Sequence, residues 1–292
     1  GVSNFCDENQ VRRPLGEVFG EIVSDLDAWQ ALGQGKPSVF HYETMAVILQ
    51  ELLLRRGVKL LLHTRFVDAR VDQGRITECL VCGASGPEAL RAAQFIDCSG
   101  ESALARAAGF ETQHDWYDGR WRLPMSMMYF VRHVPGGSSG PSLPEGWFEP
   151  ITDKADLPMT SVWPDGPGGN AIKIKIPMFD ATDTESLTAA EIQGRRRMME
   201  VLDYQQRVEN KPWRLDHCSP IIGIREGARI VGDYVLSVAD LRAGRAFEDG
   251  VARGTYYLDG HKPDDDKRTY ILPKDQLAVP PYQIPLRSLI AR

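Results

Sequence analysis

The stretch Phe95-Ile96-Asp97-Cys98-Ser99-Gly100-Glu101 constrains this chain more than any other. Residues 95–98 read as a buried strand running into a tight Ser99-Gly100 turn. A helix over 101–108 follows at once and stops at Gly109. Gly100 can take a positive φ and lets another backbone or a ligand come close. Glu101, in the first helical turn, suits the positive end of a helix dipole. A strand that ends in a glycine turn and feeds a helix N-terminus is how α/β proteins build the rim of a nucleotide site. The same pattern also makes an ordinary corner with no ligand, and short glycine motifs match often by chance. The stretch alone leaves both readings open.

The residues before it supply the frame. Val18, Phe19, Ile22, Val23 and Leu26 recur at helical spacing over 15–29. A second helix over 42–56 carries Met45, Ile48, Leu49 and Leu52 on one stripe, basic Arg55 and Arg56 in its last turn, and Gly57 as its stop. Residues 33–38 between them read as a polar Gly/Pro loop. Residues 58–62, apolar except for Lys59, suit a strand of a parallel sheet buried on both faces. Three further strand-like runs, 66–71, 76–82 and 90–98, alternate with turns at 72–75 and 83–87 and predict an antiparallel meander. The fold class expected is α/β (mixed α+β).

Beyond Gly109 the pattern changes. Residues 127–134 read as a strand. Ile172, Ile174 and Ile176 alternate with Lys173 and Lys175, which predicts a half-buried antiparallel strand with the lysines facing out. Thr188 and Glu191 form a capping box for a helix to about residue 210, whose Arg195-Arg196-Arg197 reads as a solvated face paired with Glu200 and Asp203. Residues 221–236 read as strand, with Arg225 and Arg229 on one face so that two guanidiniums could meet one anion or carboxylate. Ser237 and Asp240 cap a short helical turn. The prolines of 280–289 predict an extended end with no closing element.

Composition excludes several classes. The 292 residues carry a net charge of −6, against nucleic acid or an anionic membrane as the main partner. No apolar run approaches the ~20 residues of a membrane span. The five cysteines are an odd, scattered set, and reduced thiols fit a cytoplasmic setting. Cys79 and Cys82 have CxxC spacing but sit in a strand-like run, where residues three apart point to opposite faces, so no metal site is read there. The six histidines lack ligand spacing. Each reads first as structural, since no partner group is in sight to orient it; His217, just before the Arg225 segment, is the acid/base candidate among them.

Four segments together resemble the FAD-dependent oxidoreductase family, similar in fold to the flavoprotein of fumarate reductase. They are Gly57 through Val67; Phe95 through Gly109, like the family's hIDATG segment; Arg225 through Tyr234, close to its R-E-x-R-R-I-x-G-D-Y run; and Tyr282 through Leu289, close to Y-x-I-P-Y-R-S-L. Two positions depart: Ala228 stands where the family usually has a second arginine, and Leu286 replaces a tyrosine.

The resemblance implies an incomplete Rossmann-like FAD-binding domain with a β-meander over 1–112, an antiparallel-sheet substrate domain over 113–255, and a return segment over 256–292. It implies that the backbone of Phe66 and Val67 lies beside the adenine and that Cys98, Ser99, Gly100 and Glu101 pack against the ADP half of FAD. Gly1, Ser3 and Asn4 resemble the segment passing the flavin ring. Arg225, with Arg229, would meet an anionic group of a small-molecule substrate, or Arg225 would stabilise reduced-flavin charge; a structural pair with Glu226 or a neighbour is the simpler role. The family's GxGxxG unit and its closing strand and helix are not among these residues, so the chain is expected to be the interior of a longer enzyme and to hold FAD weakly alone. The function implied is hydride or electron transfer between a small organic substrate and flavin. The alternative is a non-catalytic binding or scaffold module that has lost flavin. The oligomeric state is left open.

Overall fold

The computed structural model describes residues 16–33, 36–113, 123–136, 143–165 and 168–292, with backbone only at 33 and 36–39. The chain divides into two compact units, Gly1–Ala92 and Ala93–Arg292. The fold is mixed α/β, and every strand pair among the described residues is antiparallel.

In the first unit, α1 (Glu17–Ala28) and α2 (Tyr42–Arg55) bury Leu26, Ile48 and Leu52 together with Ala31 and Phe40. Leu49, expected on the buried stripe, is exposed. Arg56 pairs with Glu21, and Arg55 lies 3.4 Å from Asp25, fastening one helix to the other. Residues 33–38 are not wholly loop: β1 (Leu32–Gly33) and β2 (Lys36–Phe40) form a small hairpin. Gly57, at φ +73°, ends α2 as expected. Residues 58–62 form no strand, and Val58, Leu61 and Leu62 are exposed. A short apolar run becomes a parallel strand only with a neighbour to bond to, and no described strand offers one.

The meander is present as β3 (Arg65–Asp72), β4 (Arg75–Gly83) and β5 (Gly86–Arg91), in that spatial order. Its third strand comes earlier than expected. Gly83 pairs directly with Gly86, so the two-residue Ala84-Ser85 turn starts the strand at once and it is spent by Arg91. Residues 94–98 are therefore irregular, not strand, and Ile96 is 87% exposed. Cys79 is buried and Cys82 exposed on the same strand, both as free thiols.

The second unit is built on a four-stranded sheet in the order β10-β7-β9-β8, from β7 (Met125–His133), β8 (Thr160–Pro164), β9 (Gly169–Ile176) and β10 (Trp213–Cys218). One face, with Met127, Tyr129, Val131, Ile172, Ile174 and Ile176, packs on α4 (Thr184–Arg207) through Ala190, Met198, Val201 and Leu202. The Tyr129 hydroxyl donates to Gln205 Oε1 at 3.0 Å, so even the polar atom on this face is used. The helix starts earlier than Thr188. Asp183 is its cap and accepts from the Ser186 N–H at 2.7 Å, while the Thr188 hydroxyl bonds back to the Thr184 carbonyl. Arg195 pairs with Glu191, Arg197 with Glu200 and Asp266, and Asp203 with Arg207 instead of the arginine cluster.

Three further expectations change. Lys175 does not face out: it is 3% exposed, and its ammonium donates to the carbonyls of Lys267 and Lys262 at 2.9 and 3.3 Å. Residues 221–236 contain only β11 (Arg229–Ile230), paired with β6 (Thr112–Gln113). Their glycines explain this, because Gly223 pairs with Ser126, Gly227 packs on Glu101 and Gly232 on Ser288, so the segment winds among three neighbours. Residues 282–285 do close the fold, as β13 (Tyr282–Pro285) pairs with β12 (Gly250–Gly254) and a 3-10 turn follows at Leu286–Leu289. The Ser237–Asp240 capping box is present, at the start of α5 (Val238–Arg242).

Candidate functional site

The opening turn is held by its own side chains. The Asp97 carboxylate accepts from the N–H groups of Ser99, Leu104 and Ala105 at 2.9, 3.0 and 3.1 Å. Ser99 Oγ accepts from the Ala103 N–H at 2.9 Å. Burial works to raise the Asp97 pKa, but the Ser99 hydroxyl and these three amides outweigh it and hold the group below its ordinary value. The helix α3 (Ala103–Ala107) thus has its first amides spent on Asp97 and Ser99. It is shorter than expected, and Glu101 lies before it, because Ser102 enters the left-handed region at φ +52°. Gly100 is at φ +81°, with open space where a side chain would begin. Cys98, Ser99 and Gly100 are exposed.

This turn packs on the Arg225 segment. The Ser102 hydroxyl donates to the Ala228 carbonyl at 3.0 Å, and a Cβ on Gly227 would come within 2.9 Å of Glu101. Ala228 is buried. The final segment closes the other side: the Tyr234 N–H donates to the Arg287 carbonyl at 3.2 Å and the Asp233 N–H to the Ile290 carbonyl at 3.1 Å. Tyr234 lies between two guanidiniums, Arg245 and Arg287, at 5.7 and 5.5 Å from its ring centre. Three of the segments singled out in the sequence, 95–109, 225–234 and 282–289, therefore meet in one unit.

The sheet face away from α4 carries the polar chemistry. His217 pairs across the sheet with Phe130, its ring stacked on that of Phe130 at 4.2 Å and its Nδ1 3.1 Å from Asp216 Oδ2. Lys173 lies on the same face of β9, opposite Met128 and Ser161. Asp259 is the hub beside them. Its Oδ2 is 3.5 Å from Arg225 Nη2 and accepts from the Tyr256 hydroxyl at 3.3 Å, and its Oδ1 is 3.1 Å from His261 Nε2. His261 is 2% exposed and stacks on Tyr270 at 4.6 Å. Burial first, against the pull of Asp259, pushes its pKa down, so the imidazole is neutral at neutral pH.

Arg225 and Arg229 do not share a partner: Arg225 pairs with Asp259, and Arg229 with Glu226. Sequence reasoning missed Asp259, Lys173 and His261. The available signal was a charged Asp-x-His following two tyrosines, Tyr256 through His261, but nothing local says which face such a loop covers. In the first unit, Phe66 lies on β3 and Val67 is the extra residue of a bulge between the Phe66–Val81 and Asp68–Leu80 pairs, which takes it out of the ladder's register. Gly1, Ser3 and Asn4 lie outside the described residues. Among the described residues no helix is long and apolar enough to cross a membrane, and no cluster of His, Cys, Asp or Glu is placed to hold a metal ion.

The sequence model described as FAD dependent oxidoreductase matches residues 1–292. No curated protein sequence matches the chain. Among solved structures, CabE, an aromatic hydroxylase from angucycline biosynthesis, is similar over 68% of this chain and 36% of its own, at 17% identity and a TM-score of 0.41. The flavin-dependent brominase Bmp2 is similar over 64% of this chain and 47% of its own, at 14% identity and a TM-score of 0.37. The chain thus spans less than half the length of these structures.

Proposed function

Because this chain belongs to the FAD-dependent oxidoreductase family, we propose that it transfers hydride or electrons between a small organic substrate and FAD at the sheet face that carries His217 and Lys173, with Arg225 beside it. The observation that carries this reading is the gathering of Arg225, Tyr256 and His261 around Asp259 beside that face. FAD, when bound, supplies the redox chemistry at its ring, and the protein's task is placement and charge.

The residues of the opening turn fit one wall of that cofactor. Gly100 leaves its surroundings open to close approach, and Cys98 and Ser99 are exposed. With the α3 amides already bonded to Asp97 and Ser99, this turn supports the ADP half and does not grip the pyrophosphate. Cys98, Ser99, Gly100 and Glu101 would line that half. Arg225, fixed by Asp259, orients the substrate. His217, with Nδ1 held by Asp216, exchanges a proton at Nε2.

Single-turnover reduction of the protein-bound flavin tests this. R225M and H217A are expected to retain flavin and lose reduction rate by about 100-fold. Unchanged reduction rates in both variants would remove the sheet face as the reacting site.

A further inference from the structure

A cavity of about 400 Å³ opens between α4 and the loop that carries Asp264, Asp265 and Asp266. Its helical wall is Gln193, Arg196, Arg197 and Glu200, spaced three and four residues apart as one helix face requires. Lys175, near the end of β9, lines it too. The loop wall is pinned from several sides. Its neighbours Lys262 and Lys267 accept the Lys175 ammonium through their carbonyls, at 3.3 and 2.9 Å. The Lys267 ammonium donates to the Leu157 carbonyl at 2.8 Å, and the Met159 N–H to the Asp266 carbonyl at 2.7 Å. The Asp265 carboxylate accepts from the Lys267 N–H and the Thr269 hydroxyl at 2.7 and 2.8 Å. The cavity is therefore preformed, with the volume of a small-molecule site. His217, Lys173 and Arg225 do not line it.

Most of its charges are already engaged. Arg197 lies 3.1 Å from Glu200 and 3.6 Å from Asp266, and Lys175 and Asp265 are held as above. Two are not. Among the described residues neither Arg196 on the helix nor Asp264 on the loop has a hydrogen bond or an ion pair, and both are exposed. They line one cavity from opposite walls without neutralising each other. An anion alone would meet Arg196 but also the field of three aspartates; a cation alone would meet Asp264 but stand against Arg196 and Lys175. A molecule that carries both charges satisfies both walls. We infer that this cavity binds a small zwitterion of the α-amino acid class, its carboxylate on Arg196 and its ammonium on Asp264. The guanidinium fork matches two carboxylate oxygens, and Gln193, one turn earlier on the same wall, adds an amide donor. The inference goes beyond the proposed function and does not rest on it.

Calorimetric titration of the complete protein with L-glutamine tests it without flavin turnover. N-acetyl-L-glutamine, which lacks the ammonium, and L-glutamine amide, which lacks the carboxylate, are the comparison ligands. Wild type should bind L-glutamine at least about tenfold more tightly than either. R196M and D264N change exposed, unpaired side chains and should fold normally, yet each should weaken L-glutamine about tenfold, with R196K recovering part of the loss. R196M should leave the weak binding of the amide unchanged, and D264N that of the N-acetyl compound. Wild-type affinity for L-glutamine in both R196M and D264N, or no binding of L-glutamine to wild type, would overturn the site. Equal or tighter binding of either comparison ligand would overturn the zwitterion class.

Discussion

The Ser102 hydroxyl donates to the Ala228 carbonyl at 3.0 Å, joining the glycine turn to the Arg225 segment across 126 positions of sequence. The bond seats the turn beside the residues proposed to meet substrate. Ala228 itself is buried there. S102A should cost about 1 kcal/mol, because it leaves that carbonyl without its donor. A228R should cost more, since a buried cation would lack a partner. Thermal unfolding of both variants checks the order, and an A228R protein as stable as wild type would contradict it.

Asp97 should make the turn acid-sensitive. Its folded pKa lies below its ordinary value, so its contribution is fully present above about pH 4, the range of a free carboxyl, and is lost as pH falls through the folded value. D97A should destabilise the protein at neutral pH by about 1–2 kcal/mol through lost caps. The gap to wild type should shrink in melts taken at progressively more acid pH. A constant gap across that range would show that the carboxylate charge is not what holds the turn.

Gly232 is predicted to tolerate no side chain. A Cβ there would lie 2.8 and 2.9 Å from the backbone carbonyl oxygens of Ser288 and Arg287, atoms that cannot swing aside. G232A should therefore cost about 1–3 kcal/mol by overpacking. Hydrogen exchange should show the loss first at residues 287–290. Wild-type stability of G232A would mean that this junction is looser than its geometry.

Lys175 ties β9 to the loop over 262–267. K175M keeps the stem and removes the ammonium, leaving the carbonyls of Lys262 and Lys267 without their donor. About 1–3 kcal/mol should be lost, with exchange at 262–269 accelerating while α4 stays protected. Unaltered exchange in that loop would contradict the role.

The sequence made some of this legible and hid the rest for identifiable reasons. Helical stripes such as Ile48 and Leu52, the meander, and the Ile172-Ile174-Ile176 alternation are local patterns, and they stand in the structure. Lys175 was misread because alternation assigns a face, not what covers it: a loop arriving some 87 positions later buries the ammonium. Residues 94–98 look like a strand by composition but have no strand beside them. Segment 225–234 looks continuous, yet its glycines mark close approaches to residues distant in sequence. Asp259 meets Arg225 from a segment distant in sequence and Tyr256 and His261 from its own loop, a convergence that only the folded chain displays.

The central claim is that this protein works with FAD. The protein expressed from its complete gene should purify yellow, or take up FAD in a titration, with the flavin absorption band bleaching on reduction. A folded, colourless protein that binds no FAD would contradict the account.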